Sequence, residues 1–544
     1  MWKESCAKPK NRARLSLRQS ATSPGPYDTW PVRRRSTRLR HFALSAFITL
    51  VVSYTWQSTE ATSPNERARA YLGHALATRG EVAVTEEWRR FGPNFDIAHR
   101  DGAFYSDKAP GSSVLAVPVV AWAIHREPTI EIGALVGHCR NGVMVPFVFV
   151  GAFALLETLT LLGVAFRIRV LTTFALFFGS NVLHYGRAFF GHALVLSVAL
   201  VALYAVLRAF RARNRRSAAP WTLLCGLACG LAFSIEYQAA LLSVAIAVSL
   251  LFHRTTRRPA FWLPWVAGVV PGIVLTLSYN EAAFGSPWST SYAHLYYGSS
   301  RAIHDQGIGG VSIPKPDALL GILFSPSRGL FFSAPWAFLV LAGIGRRSER
   351  WFLIASGLFA VLYLYVCTSW GMWEAGWGTG PRLLIGAFGP IAIFSALALE
   401  RMSRGATGRL LGVAFGLIGS AIVINSLLVL TFAENPPEVL VPLRSVAIPL
   451  VEAGAFAPNL LTDGLGAEES STFSAVLFLC CTLLPALVLI GGYFGEHGRE
   501  VLTGIVVGTA LFWGLLLSFP DDPVNTFPID VHVEGLRNLH SDQR

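Results

Sequence analysis

Tyr105, Asp107 and Lys108 put an aromatic ring, an acid and a cation within four residues. They lie in a polar stretch, Asp101 to Gly111, where Gly102, Pro110 and Gly111 break regular structure. Lys108 stands out because the chain has only five lysines, and Lys3, Lys8 and Lys10 all precede the first apolar run. A lone ammonium at such a boundary is suited to hold a phosphate; the bland alternative is a surface turn capping the next helix. Other cations are almost all arginine. A guanidinium can grip phosphate through two parallel hydrogen bonds, so Arg187, Arg328 and Arg382 are candidates beside Lys108. Glu66 and Asp96 are acids upstream of the same stretch.

The elements that must position these residues are apolar helices. The chain has 544 residues, 53% apolar and 14% charged, with a mean hydropathy of +0.48. Soluble domains carry about 25% charged residues. Apolar runs able to cross a bilayer, roughly 20 residues each, recur between residues 41 and 518. A β-barrel is excluded, since its strands are alternating segments of about 10 residues. The net charge of +12 does not indicate nucleic acid. The arginines cluster in short loops between apolar runs, which is the positive-inside signal of orientation. The seven cysteines fall mostly in apolar segments, without metal-ligand spacing, and read as small apolar residues.

Taken in order, residues 1–40 form a basic cytoplasmic tail expected to be disordered. Residues 41–56 follow as a retained first span, because a signal peptide rarely has so long an n-region. The first outer loop covers 57–142. Within it, Asn65 to Gly80 predicts an amphipathic helix on the membrane surface, with Ala68, Tyr71, Leu72, Ala75 and Leu76 on one face. Residues 113–125 are too short to span and read as a juxtamembrane helix. Further spans are expected near 143–166, 170–187, 189–208, 219–235, 238–252, 260–278, 329–345, 351–368, 383–400, 409–432, 473–493 and 500–518, about thirteen in all. The chain is thus read as an all-α polytopic membrane protein. Its core is 41–400, its C-terminal helices 401–518 with an outer loop at 433–472, and its outer tail 519–544. That scheme puts the N-terminus in the cytoplasm and the C-terminus outside.

The scheme gathers unusual polar residues at the outer helix ends. His184, Arg187 and His192 flank one turn, and Glu236 and Tyr237 another. Asn280 follows a third span, and Trp373 lies in the loop to Arg382. Trp and Tyr belong at both membrane interfaces; that does not account for His, Glu and Arg on one side only. The pattern points to one outer chamber. Glu157 stands apart near the middle of a span, where a charge costs on the order of 3 kcal/mol.

These residues resemble bacterial membrane glycosyltransferases of the C-type fold, the superfamily of protein O-mannosyltransferases and aminoarabinose lipid A transferases. Uncharacterised bacterial members are the most similar. The likeness rests on Asn65-Glu66, Gly80, Asp96, Asp101-Gly102 and Tyr105 to Gly111 in the first loop. It continues through Arg187 to His192, Glu236-Tyr237, Tyr279-Asn280 with Phe284 to Pro287, Ser325 to Gly329, and Trp373 to Arg382. It covers roughly residues 41–400.

The resemblance implies transfer of a sugar from a polyprenyl-phosphate donor, with inversion, to an envelope acceptor outside the inner membrane, be it lipid, glycan or protein. In the aminoarabinose type the loop opens with an Asp-Glu pair, and a lysine in Tyr-x-x-Lys-Pro holds the lipid phosphate. Lys108, in Tyr-Ser-Asp-Lys-Ala-Pro, is similar. The acidic pair here reads Asn65-Glu66, and Asn cannot act as a base, so Glu66 or Asp96 would have to serve. Lys108, Arg187, Arg328 and Arg382 would hold the phosphate; Tyr105, Asp107, His192, Glu236, Tyr237, Asn280 and Trp373 would line the chamber. The residue types fit without the family: transfer needs a carboxylate for the acceptor proton and cations on the departing phosphate. Neither a nucleotide-binding glycine loop nor a metal-ligand cluster is present, and no cofactor is expected. Membrane lipids, not nucleic acid, are the other partners. A non-catalytic lipid-phosphate-binding relative and a lipid or sugar transporter are the alternatives.

Overall fold

A computed structural model describes residues 53–54 and 62–520, apart from 254–255, 257–258, 308–309, 345–348, 406–407, 433, 460–466 and 496–497; beyond 520 it describes 522, 528–529, 531 and 533. The basic tail 1–40, most of the expected span 41–56 and most of the tail 519–544 lie outside the described residues.

Nine helices among the described residues are long and apolar enough to cross a membrane. They overlap the expected spans at 143–166, 189–208, 219–235, 260–278, 351–368, 383–400, 409–432, 473–493 and 500–518. The protein is a mostly helical, polytopic membrane protein. Three other expected spans take different forms. Segment 170–187 gives a helix only over Phe166–Phe178 and then turns, and 238–252 is a shorter apolar helix, Tyr237–Phe252. Segment 329–345 breaks into short helical pieces, Leu330–Ser333, Pro335–Leu339 and Val340–Gly343. Pro335 has no N–H to continue the helix before it.

Helix–helix contact relies on small residues. Gly226 and Gly230 on Arg215–Ile235 face Gly268 and Gly272 on Pro259–Phe284, and a Cβ on any of the four would strike the opposite backbone. Gly412 and Gly416 meet Gly504 and Gly508 in the same way. Two glycines four apart on each partner let the backbones touch, the packing that substitutes in lipid for a hydrophobic driving force. The outward faces of these helices carry Leu263, Val266, Val270, Leu502, Val506 and Leu511, all exposed, as lipid-facing positions would be.

The first loop is a folded unit. Helix α1 (Pro64–Arg79) starts with Ser63, whose hydroxyl accepts from the Glu66 N–H while its own N–H donates to Glu66 Oε2 at 3.1 Å. This reciprocal cap and Pro64 in the first turn fix the start; Gly80, at φ 68°, ends it. Helix α1 is not the surface helix expected from its spacing. Glu66, Arg69 and His74 are buried along with Tyr71 and Leu72, so several faces are covered. Helix α2 is Thr85–Phe91, and β1 (Ile97–Arg100) pairs antiparallel with β2 (Ala103–Ser106). The hairpin was not expected, yet its turn carries a known signal. Asp101 and Gly102 both take positive φ, 49° and 80°, as a two-residue hairpin of right-handed twist requires.

Helix α3 (Gly111–Arg126) is too short to span and packs against α1. Helix α4 (Ile132–Leu161) begins earlier than the expected 143 and has one π-helical turn, Arg140–Met144. Glu157 is therefore near the end of α4, not the middle of a span. Helices α5 (Phe166–Phe178), α6 (Val182–Tyr185), α7 (Gly191–Arg211) and α8 (Arg215–Ile235) follow. The helices beyond residue 400 join the same body: Asn425 Nδ2 donates to the Ser333 carbonyl at 2.8 Å.

Candidate functional site

The hairpin delivers Asp107 and Lys108. Its last residue, Ser106, accepts a hydrogen bond on its carbonyl from the Tyr279 hydroxyl at 2.9 Å. The Asp107 carbonyl accepts from the Ser291 hydroxyl at 2.7 Å. Tyr105 packs edge-on against Phe284, 5.6 Å between centroids. So pinned, Lys108 Nζ lies 3.0 Å from Asp107 Oδ2 and 2.9 Å from Asp96 Oδ2. Lys108 and Asp96 keep 17% and 30% of their side chains exposed; Asp107 keeps 8%. Burial works to lower the Lys108 ammonium, but Asp107 and Asp96 outweigh it and raise it. Burial pushes the Asp107 carboxyl up to about 6, with Lys108 opposing and Asp96 adding to the rise.

A second pair ties α1 to the membrane helices. Arg140, in the π-turn of α4, gives Nε to Glu66 Oε1 and Nη2 to Glu66 Oε2, both at 2.8 Å. The Phe189 N–H adds a third bond to Oε1 at 2.7 Å. Burial alone would raise this carboxyl; Arg140 above all, with Phe189 and Ser63, holds it below the usual carboxylate range. Glu66 is thus fully hydrogen-bonded inside the fold. Arg140 was not singled out from the sequence. Its signal was an arginine bounding a long apolar run, which reads as a loop charge until the helix is seen to begin at Ile132.

A third pair is Arg69 and Glu236, 2.7 Å apart. Arg69 also donates to Ser112 Oγ at 2.6 Å and to Asn65 Oδ1 at 3.0 Å. The residue in the acidic position of the motif therefore serves as a neutral acceptor for a buried arginine. Glu236 follows the last residue of α8 and brings its carboxylate against Gly191, the first residue of α7. It fits because Gly191 has no side chain: a Cβ there would collide with Glu236 Oε1. Burial would raise Glu236, and Arg69 foremost brings it below its ordinary value. Lys108 contributes to the same effect, so the Arg69–Glu236 pair and the hairpin share one field.

The other expected residues divide. Arg187 is buried, and none of its three nitrogens has a hydrogen-bond partner among the described residues; the ring of Phe478 is 5.9 Å away. Arg382 gives Nη1 to the Trp377 carbonyl at 3.0 Å and stands over Phe190. Arg328 is used within the chain, donating to the carbonyls of Gly376, Gly378 and Asn435. The Tyr237 hydroxyl donates to Asn280 Oδ1 at 3.4 Å. His192, buried, leaves Nδ1 without a partner. Trp373 lies with its ring against Gly321 of the helix Pro316–Phe324. Glu434 was missed by sequence reasoning. Its Oε1 is 3.9 Å from His184 Nε2, and the fields of Glu66, Arg382, Arg140 and Asp96 all act on it.

The class these features define is a multi-pass helical membrane protein whose first loop is tied to its helices by buried charge pairs. No family model and no curated protein matches the chain. Solved structures similar to it include ArnT from Cupriavidus metallidurans in the apo state: 14% identity, TM-score 0.47, covering 86% of this chain and 78% of that one. The same protein bound to undecaprenyl phosphate gives 16% identity and TM-score 0.47, over 88% and 79%. The archaeal oligosaccharyltransferase AglB from Archaeoglobus fulgidus, in complex with an inhibitory peptide and a dolichol-phosphate, gives 12% and 0.38, over 91% and 61%.

Proposed function

We propose that the protein is a membrane glycosyltransferase that moves a sugar from a polyprenyl-phosphate donor to an acceptor hydroxyl. The observation that carries this reading is Lys108, a partly exposed ammonium oriented by two carboxylates at a folded loop above membrane helices. A phosphate would exchange with the more exposed partner, Asp96, and gain a charge-assisted hydrogen bond. Arg382 would hold the same group, and Arg187 would add a buried positive charge. The acceptor oxygen attacks the anomeric carbon from the face opposite the phosphate, the carbon–oxygen bond to phosphate breaks, and polyprenyl phosphate leaves with the electron pair. Cations stabilise the charge that develops on it, and a carboxylate takes the acceptor proton. Glu66 and Asp96 are the loop carboxylates that the resemblance offers for this chemistry, and both are paired with cations. Glu66 fixes Arg140 and the peptide of Phe189, and Asp96 orients Lys108.

Purified protein in detergent, given a radiolabelled polyprenyl-phosphate sugar and envelope extract, should transfer label to an acceptor. Donor binding without transfer would support the non-catalytic relative, which Asn65 favours by standing where an acid is expected. Absence of donor binding would defeat the reading.

A further inference from the structure

The carboxylates Glu66, Asp96, Asp107 and Glu236 are each held by a cation at hydrogen-bonding distance: Arg140, Lys108, Lys108 and Arg69. For Glu66 and Glu236 the paired arginine brings the carboxyl below its ordinary value, while Asp96 and Asp107 share the Lys108 ammonium. Glu434 differs. Its ionisable neighbour is His184 at 3.9 Å, beyond hydrogen-bond reach, and 32% of its side chain is open.

Its place is set by the bonds that hold the next residue, Asn435. The Gly378 N–H donates to the Asn435 carbonyl at 2.9 Å, forming an isolated antiparallel bridge. Arg328 Nη2 donates to the same carbonyl at 2.8 Å and to Gly376 at 3.0 Å. The loop so clamped is joined to the α6 turn by Asn181, whose Nδ2 donates to the Thr379 carbonyl at 3.0 Å. Glu434 is thereby held between the loop that ends at Arg382 and the turn that carries His184. The charged groups acting on it are Glu66 on α1, Arg140 on α4, Asp96 ahead of β1 and Arg382 after the loop; His184 on α6, which burial keeps neutral, faces it.

We infer that Glu434 is the general base of the proposed transfer, the carboxylate that takes the acceptor's proton, while Glu66 and Asp96 position cations. The inference rests on the glycosyltransferase reading above and deepens it. The acceptor O–H proton passes to a Glu434 oxygen as the acceptor oxygen bonds to the anomeric carbon and the sugar–phosphate bond breaks. Burial first, and then Glu66, pushes the Glu434 carboxyl up to about 7, against Arg382 and Arg140. A base that titrates near the working pH combines availability with driving force. It acts deprotonated, so the transfer rate should rise as pH rises through about 7 and level off above.

The test uses the full chain in detergent. Glu434→Gln should bind polyprenyl phosphate as the wild type does. It should transfer sugar in a single turnover at least about a hundredfold more slowly, the low end for a lost general base, and lose the limb near neutral pH. Glu438→Gln, an exposed acid on the same segment, should keep both rate and limb. A Glu434→Gln variant at full rate with the limb intact overturns the assignment. A measurement independent of turnover is the infrared carboxylic-acid band of glutamate-labelled wild type. It should titrate near neutral pH and vanish in Glu434→Gln; a wild type without such a band overturns the assignment even if the variant fails to fold. A wild type that binds polyprenyl phosphate but transfers nothing defeats the transferase reading and, separately visible, the base with it.

Discussion

Glu66→Gln separates an organising acid from a catalytic one. The substitution preserves size but removes the charge facing Arg140, whose side chain is 16% exposed while that of Glu66 is 2% exposed. Two charge-assisted bonds at 2.8 Å and one from Phe189 at 2.7 Å are broken or weakened. Removing one partner of a buried pair costs up to roughly 3–5 kcal/mol, because the other charge loses its bidentate carboxylate. The cap contributes little to the difference, since a glutamine oxygen still accepts from Ser63. Thermal unfolding in detergent, read by tryptophan fluorescence, should show a large drop in the midpoint. Arg140→Gln in the same chain should restore part of it, with a coupling toward the upper end of about 0.5–3 kcal/mol. The pH dependence has a definite sign. Glu66 is held below its ordinary value, so its stabilisation is present above the unfolded carboxylate pKa and lost as pH falls through the lowered folded value. Glu66→Gln should lack that acid loss. Unaltered stability together with a hundredfold slower transfer would refute this account and return Glu66 to the role of base.

Lys108→Ala should weaken polyprenyl-phosphate binding about tenfold or more, as a hydrogen bond to a charged group is worth roughly 1.5–3 kcal/mol; equilibrium binding of labelled lipid measures it, and unchanged affinity returns Lys108 to a surface turn. Gly191→Ala should displace Glu236 from Arg69, because the new Cβ meets Glu236 Oε1. A loss of about 1–3 kcal/mol in the same unfolding assay is expected, and none would mean that α7 shifts freely. For orientation, single cysteines replacing Ser217 and Gln306, both exposed, in a cysteine-free background should react differently with an impermeant thiol reagent on intact cells. Labelling only at 306 supports the arginine-based orientation, and labelling only at 217 inverts it.

Much of the architecture was legible because it is local. Nine spans show in the hydropathy alone, since a helix in lipid must be apolar along some 20 residues wherever it packs. Ser63, Pro64, Glu66 and Gly80 bound α1 through bonds made within the helix itself. Even the hairpin was present in Asp101-Gly102, though its four-residue strands gave too short a pattern to separate from a loop. The pairing of charges was not legible. Glu66 and Arg140 are 74 residues apart, and Arg69 and Glu236 are 167 apart. Periodicity says that such a residue is buried or exposed, never against what; α1 read as amphipathic because its buried charges looked like a wet face. Glu434 comes from a part of the chain with no motif, and the bridge between Gly378 and Asn435, with Arg328 on the same carbonyl, brings it near His184. The sequence by itself determined the nine long apolar helices among the described residues. The tertiary structure decided which ionisable groups neutralise one another, because an ion pair depends on a few ångströms between residues distant in the chain.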